Sequence, residues 1–357
     1  MEDTLLSEII IKSSIHDYAV KFINNTNETL KSAFQEGDTI IIDKNIKQLY
    51  PNLLVWLPSR ASIISIDANE NSKSYHGLAP VIDKLVQNGF RKNNRLIGIG
   101  GGIIQDITAF ISSVMFRGVE WMLFPTTLLA QGDSCIGSKT SINFGEFKNQ
   151  LGGFYPPHKI YINLEFLDTL SDNDIKSGLG EMSHYFIVDG EKSFSYFKDN
   201  YWLAMDDKKV LSKLILKSLN IKKSYVEIDE FDQNKRQVFN YGHTFGHAIE
   251  SLTNYQIPHG IAVSFGMDIA NFISIKRNFL TKKIREEIKE VLEQIWDGYD
   301  IRSINIDKYT DALAKDKKNV GKELRLILCK GYGKVFKVPQ LNDGTFKSWL
   351  KEYFDEK

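Results

Sequence analysis

Arg95-Leu-Ile-Gly-Ile-Gly100-Gly101-Gly102-Ile103-Ile-Gln-Asp106 is the stretch on which the fold turns. Its first six residues, Arg95 to Gly100, are a short run of strand type, Gly101 and Gly102 follow, and Ile103, Ile107, Phe110 and Ile111 then recur at helical spacing. A strand that turns through glycine straight into a helix is the joint of a parallel α/β unit. The glycines let a ligand approach the backbone, and free amides at the helix start can hold a pyrophosphate. The pattern is not G-x-G-x-x-G, and a tight turn without a ligand accounts for it as well. Asp106 sits inside the apolar stripe, where a carboxylate needs a partner.

Outward from this joint, the first half repeats the same alternation. Asp38–Asp43, Ser62–Asp67, Glu120–Phe124 and Lys159–Ile162 read as further strands. Leu78, Val81, Ile82, Leu85 and Val86 mark a helix between the second strand and the central one. From Ser171 the texture changes to long amphipathic stretches at 207–228, 236–253, 259–277 and 280–296, with a late hairpin at Leu324–Cys329 and Lys334–Val338. The chain therefore divides into an α/β domain with a mostly parallel sheet, residues 1–168, and a mainly α-helical domain, residues 169–357. A length of 357 residues suits two such cores.

Forty-five basic residues balance forty-five acidic ones, which argues against a nucleic-acid or membrane-surface protein bound by bulk charge. No apolar run approaches the roughly 18 residues of a membrane span. The start lacks the basic and apolar segments of an export signal, and the two cysteines, Cys135 and Cys329, have no metal or disulfide spacing. A cytoplasmic location is the expectation.

Three of the seven histidines fall within seventeen residues. His243 and His247 stand one helical turn apart in Asn240-Tyr-Gly-His243-Thr-Phe-Gly-His247-Ala-Ile-Glu250, and His259 follows in Pro258-His259-Gly260. Three imidazoles can converge on a divalent metal and leave a position open for substrate; helix packing and capping explain a lone pair equally well. In Glu181-Met-Ser-His184 both side chains share a helix face, so Glu181 can add an anionic ligand and His184 a further one, unless the pair faces solvent.

Pro125-Thr126-Thr127-Leu-Leu-Ala-Gln-Gly-Asp133-Ser134 through Lys139-Thr140 follows a strand, where α/β proteins bind ligands. With Arg117-Gly118 before it and Lys148-Asn149 after it, the region collects cations and amide donors suited to phosphate. Lys222, Arg236 and Asp316-Lys317-Lys318-Asn319 read as surface charges when taken alone.

In this order and spacing, these motifs resemble the sugar-phosphate cyclase family, most closely its dehydroquinate synthase branch, from about Asp43 to Lys318. Met115-Phe116-Arg117-Gly118 and Ser177-Gly178-Leu179-Gly180-Glu181 complete the set. The resemblance implies a Rossmann-like N-terminal domain and a helical metal-binding domain. It implies a divalent metal, zinc or cobalt, on Glu181, His243 and His259, with His247 moved from the metal to the substrate phosphate. NAD is implied at Asp43, Asn45, Glu70, Lys73, Gly101, Gly102, Asp106, Thr126, Thr127, Lys148, Phe166 and Thr169. Substrate positions correspond to Asp133, Lys139, Asn149, His184, Lys222, Arg236, Asn240, His247 and one of Lys317 and Lys318. Arg117 corresponds to a residue that reaches the neighbouring subunit's site, so a homodimer is implied.

The implied activity is that of a carbon–oxygen lyase acting on a phosphorylated sugar acid: transient oxidation, phosphate β-elimination, reduction and intramolecular aldol closure. In the family the position of His184 is a lysine, and Gly137-Ser138-Lys139 is Gly-Gly-Lys. Phe144-Gly-Glu-Phe-Lys148 replaces a Pro-Leu-Gly-Lys type of loop. Arg236 and Lys222 favour a substrate bearing a carboxylate. The alternatives are a cyclase for another sugar phosphate, a metal-dependent alcohol dehydrogenase of glycerol type, and a binding subunit disabled by His184.

Overall fold

A computed structural model describes residues 8–145, 147–314 and 323–356. Lys317 and Lys318 lie outside the described residues. The chain forms two compact units, one from residues up to Leu170 together with Ile215–Phe231, the other from Ser171–Leu214 and Asp232 onward.

The first unit is built on β1 (Glu8–Ile11), β2 (Tyr18–Phe22), α1 (Thr26–Ala33), β3 (Thr39–Asp43), α2 (Lys44–Leu49), β4 (Ser62–Ile66), α3 (Tyr75–Gln87), β5 (Leu96–Gly100), α4 (Gly102–Val114), β6 (Trp121–Pro125), β7 (Lys139–Phe144), β8 (Phe147–Phe154) and β9 (Lys159–Ile162). A seven-stranded sheet runs in the order β1-β2-β9-β6-β5-β3-β4, and every pairing in it is parallel except the edge pair β1 with β2. The central strands read as unbroken apolar runs because both faces are covered, and Ile40, Ile42, Ile97, Ile99, Met122 and Phe124 share one core with Tyr161 and Phe166.

The chain reverses its direction across the sheet between β3 and β5. Their register pairs Ile42 with Ile99, which brings Asp43 and Gly100 together at the carboxyl ends. Open α/β sheets take their ligands at such a reversal. The sheet edge β1–β2 and the separate β7–β8 hairpin go beyond the sequence reading. Val86, counted there in the apolar stripe of α3, is 62% exposed, because it lies about 100° round the helix from Leu85.

The second unit is mainly helical: α5 (Asp172–Asp189), α6 (Glu191–Asn200), the start of α7 (Lys208–Val226), α8 (His243–Leu252), α9 (His259–Lys276), α10 (Lys282–Trp296), α11 (Ile306–Ala314), the antiparallel pair β10 (Glu323–Cys329) and β11 (Val335–Leu341), and α12 (Gly344–Asp355). Ser171 opens α5 with a capping box, exchanging bonds with Asp174. Helix α9 is buried all round from Gly260 to Ser274, with α5, α8, α10 and α12 packed against it. A single boundary near residue 168 puts Lys222 in the helical domain; in the structure α7 passes back, and Lys222 belongs to the first unit.

Candidate metal centre and nucleotide site

Close approach of backbones builds the candidate metal centre. A Cβ on Gly260 would lie 1.8 Å from Ser177 O, and one on Gly180 would lie 2.4 Å from Gly260 O, so α5 and α9 touch where neither carries a side chain. Glu181 and His259, the neighbours of those glycines, are thereby brought face to face. A Cβ on Gly266 would lie 2.0 Å from Gly242 O, so α8 meets α9 in the same way and His243 enters from its first turn.

His243 Nε2 lies 3.3 Å from Glu181 Oε1, and His259 Nε2 lies 3.4 Å from Glu181 Oε2. One donor atom from each of the three residues falls within 4.8 Å of the others. The far ring nitrogens are held, His243 Nδ1 3.3 Å from Tyr241 O and His259 Nδ1 3.0 Å from Glu250 Oε2. This is the usual way a protein aims imidazole nitrogens at an ion. Glu181 Oε2 is buried and, among the described residues, has no hydrogen-bond partner. Burial acts to raise the affinity of Glu181 for a proton, but charge on His243, its hydrogen bond, and then His259 and His184 outweigh it and hold the carboxyl well below the usual range. An ionised carboxylate with two convergent imidazoles fits a divalent cation with positions left for substrate oxygens.

His247 is exposed, its ring stacked on His259 at 5.6 Å between centroids. His184 is not on a solvent-facing surface: it is 1% exposed, with Nδ1 3.9 Å from Glu181 Oε1 and its ring against Tyr185 and Phe239. Arg236 is equally far from the surface role its charge suggested, at 4% exposed in the turn Lys235–Asn240. Asn240 closes that turn by donating to Gln237 O. Glu250 is a site residue the sequence reading passed over, although it ends the quoted histidine run; a buried glutamate one turn from His247 was the available signal.

In the first unit, the joint quoted at the outset is an open helix start. Gly101 precedes α4 without a side-chain cap, and a Cβ there would lie 2.8 Å from Thr127 Cγ2. Among the described residues a Cβ on Gly102 would meet only Ser134 Oγ, at 4.0 Å, which leaves room for a phosphate to approach this helix start. Thr126 donates its amide to Gly100 O, and Thr127 Oγ1 accepts from Ala130 N. Asp43, at the end of β3, caps α2 by accepting from Asn45 N at 2.9 Å. Burial pushes its carboxyl up, the Asn45 bond works against that, and Asp67 adds to it.

Asp106 has its partner: Lys73 Nζ lies 2.8 Å from Asp106 Oδ2 and donates to Asn149 Oδ1 at 3.0 Å. Lys148 Nζ donates to Glu70 Oε1 at 2.7 Å, and Asn143 Nδ2 to Glu70 Oε2. Lys222, buried, donates to both Asp133 Oδ1 and Asp133 O. Lys139 is exposed at the head of β7, and Arg117 is exposed in a turn where it and Phe116 both have positive φ. Phe166 has its ring buried in the core that includes Ile42 and Ile99, against Tyr50, while Thr169 is exposed. Both thiols are free and buried, and burial pushes Cys135 up to about 12 and Cys329 up to about 11, away from the thiolate form.

Residues 63–177 match the family described as 3-dehydroquinate synthase N-terminal, and residues 178–319 the one described as 3-dehydroquinate synthase C-terminal. A 3-dehydroquinate synthase of Dictyoglomus thermophilum is 34% identical over 94% of this chain and 93% of its own length. One from Helicobacter pylori strain P12 is 34% identical over 92% of this chain and 94% of its own length. Among solved structures, 2-deoxy-scyllo-inosose synthase complexed with carbaglucose-6-phosphate, NAD+ and Co2+ superposes with a TM-score of 0.85 at 23% identity, over 97% of this chain and 99% of that one.

Proposed function

The chain belongs to the 3-dehydroquinate synthase family, and on that premise we propose that it makes 3-dehydroquinate from a seven-carbon 2-keto-3-deoxy acid phosphate. The observation that carries the reading is the convergence of Glu181, His243 and His259 on one point, each imidazole held from behind. Bound there, zinc or cobalt supplies a Lewis acid for adjacent substrate oxygens, and NAD supplies a reversible hydride acceptor.

The remaining roles fall to the chain's own side chains. Gly101, Gly102 and the start of α4 hold the pyrophosphate, with Asp43, Glu70, Lys73, Asp106 and Lys148 placing the rest of the nucleotide. Lys139, Asn149, Asn240 and His247 bind the phosphate that leaves. Arg236 and Lys222 hold the carboxylate, the first as a buried guanidinium, the second with its ammonium oriented by Asp133. His184 borders the metal ligands as a buried imidazole and shapes the substrate side there. Arg117, exposed on a strained turn, completes the site of a second subunit in a homodimer. Balanced charge and two buried free thiols fit a reducing cytoplasm.

The test supplies the heptulosonate phosphate, NAD and zinc or cobalt and follows inorganic phosphate. Release without net NADH is expected. No release above background removes the assignment, faster turnover of a hexose phosphate moves it to another cyclitol, and NADH accumulating with a simple polyol moves it to the dehydrogenases.

A further inference from the structure

Ser138 is a non-glycine residue with φ 65°, in the left-handed region that disfavours a side chain, and it directly precedes Lys139. Such a conformation persists only where its surroundings hold it. Ser138 Oγ donates to Glu230 Oε1 at 3.1 Å, and Ser138 O accepts from Tyr155 N at 2.6 Å. The preceding amide, Gly137 N, donates to Tyr18 Oη at 3.0 Å. Glu230 is itself fixed, for Ser13 Oγ donates to Oε1 at 2.6 Å, while Ser14 N and Ser14 Oγ donate to Oε2 at 2.8 and 2.7 Å. Three remote stretches of the first unit thus meet on one carboxylate: the loop between β1 and β2, the entry to β7, and the residues after α7.

We propose that Glu230 is a positioning residue, a clasp that holds the entry to β7 so that Lys139 presents its ammonium to the substrate phosphate. The inference rests on the assignment of Lys139 to that phosphate. Glu230 is 9% exposed and Ser138 6%, whereas Lys139, the next residue, is exposed; the clasp lies beneath the surface and its effect emerges at the lysine. The donors from Ser13, Ser14 and Ser138 around one carboxylate make the arrangement directional, and a shorter or apolar side chain at 230 releases them together.

Trypsin cleavage after Lys139, followed by mass spectrometry on the full chain, tests the clasp without reference to catalysis. Glu230→Ala and Ser138→Ala should be cut about tenfold faster than wild type, with Glu230→Gln, which keeps an acceptor, close to wild type. Equal rates in all four overturn the clasp. In turnover, Glu230→Ala should raise KM for the phosphorylated substrate about tenfold with kcat within about twofold, and Glu230→Gln should restore it. In a Lys139→Ala background the Glu230→Ala effect on KM should vanish. An unchanged KM, or a rise of the same size without Lys139, overturns the positioning role. Absence of phosphate release by wild type sinks the proposed reaction instead, and the proteolysis still decides whether the clasp exists.

Discussion

Glu250 Oε2 lies 3.0 Å from His259 Nδ1, on the side of the ring opposite the nitrogen that faces Glu181. A buried carboxylate behind an imidazole fixes its tautomer and strengthens it as a donor. Glu250→Ala should therefore weaken zinc or cobalt binding about 10- to 100-fold while Glu181→Ala abolishes it, as chelator competition would read. Equal affinity in Glu250→Ala and wild type would show that the ring needs no backing.

A substitution at Gly102 is expected to separate nucleotide binding from folding. Among the described residues an alanine there meets only Ser134 Oγ at 4.0 Å, so thermal stability should stay as in wild type. Its methyl group would occupy the space beside the α4 amides, and NAD affinity should fall about tenfold or more by fluorescence titration. Gly101→Ala should lose stability too, since its Cβ would press on Thr127 at 2.8 Å. Full NAD affinity in Gly102→Ala would move the pyrophosphate elsewhere.

His158 is expected to make the first unit sensitive to acid. Its ring stacks on His16 at 4.0 Å between centroids, and Glu120 Oε1 lies 3.8 Å from Nε2. Burial, then His16, lowers its affinity for a proton below the usual 6.5; Glu120 opposes this and Arg95 adds to it. Below 6.5 the unfolded chain takes up the proton first, so stability is full above that pH and is lost as pH falls towards the folded value. The melting temperature should drop between about pH 7 and about pH 5, and His158→Gln should flatten that slope. An identical slope in the variant would assign the effect to other groups.

Arg285 ties α10 to α9 and to the tail after α12. Its Nε and Nη2 each lie 2.9 Å from the fully buried Asp268 carboxylate, and Nη1 and Nη2 reach Glu356 at 3.1 and 2.7 Å. Arg285→Ala strands a buried charge and should cost about 3–5 kcal/mol in urea unfolding. Glu356→Ala removes a partly exposed partner and should cost no more than about 1 kcal/mol. Similar losses in both would mean that the tail, not Asp268, sets the energy.

Much of the site was legible because its signals are local. Gly100–Gly102 between a strand and a helix, and His243 and His247 one turn apart, are patterns a few residues long. The ligand triad was a different matter: three histidines stood close in the sequence, and the periodicity alone left open which of them would share a point with Glu181. Lys222 and Arg236 looked like surface charges because burial leaves no mark on a single charged residue.

The order of side chains along the chain determined the α/β half, the helical half and the glycine-to-helix joint, since strand and helix periods are properties of consecutive residues. Tertiary structure alone decided that Lys73 neutralises Asp106, that Lys222 returns to the first unit beside Asp133, and that Glu250 stands behind His259. It also decided that Glu230 gathers Ser13, Ser14 and Ser138. Each of those choices joins groups carried on different elements, and a buried charge finds its partner only once packing has excluded water from both.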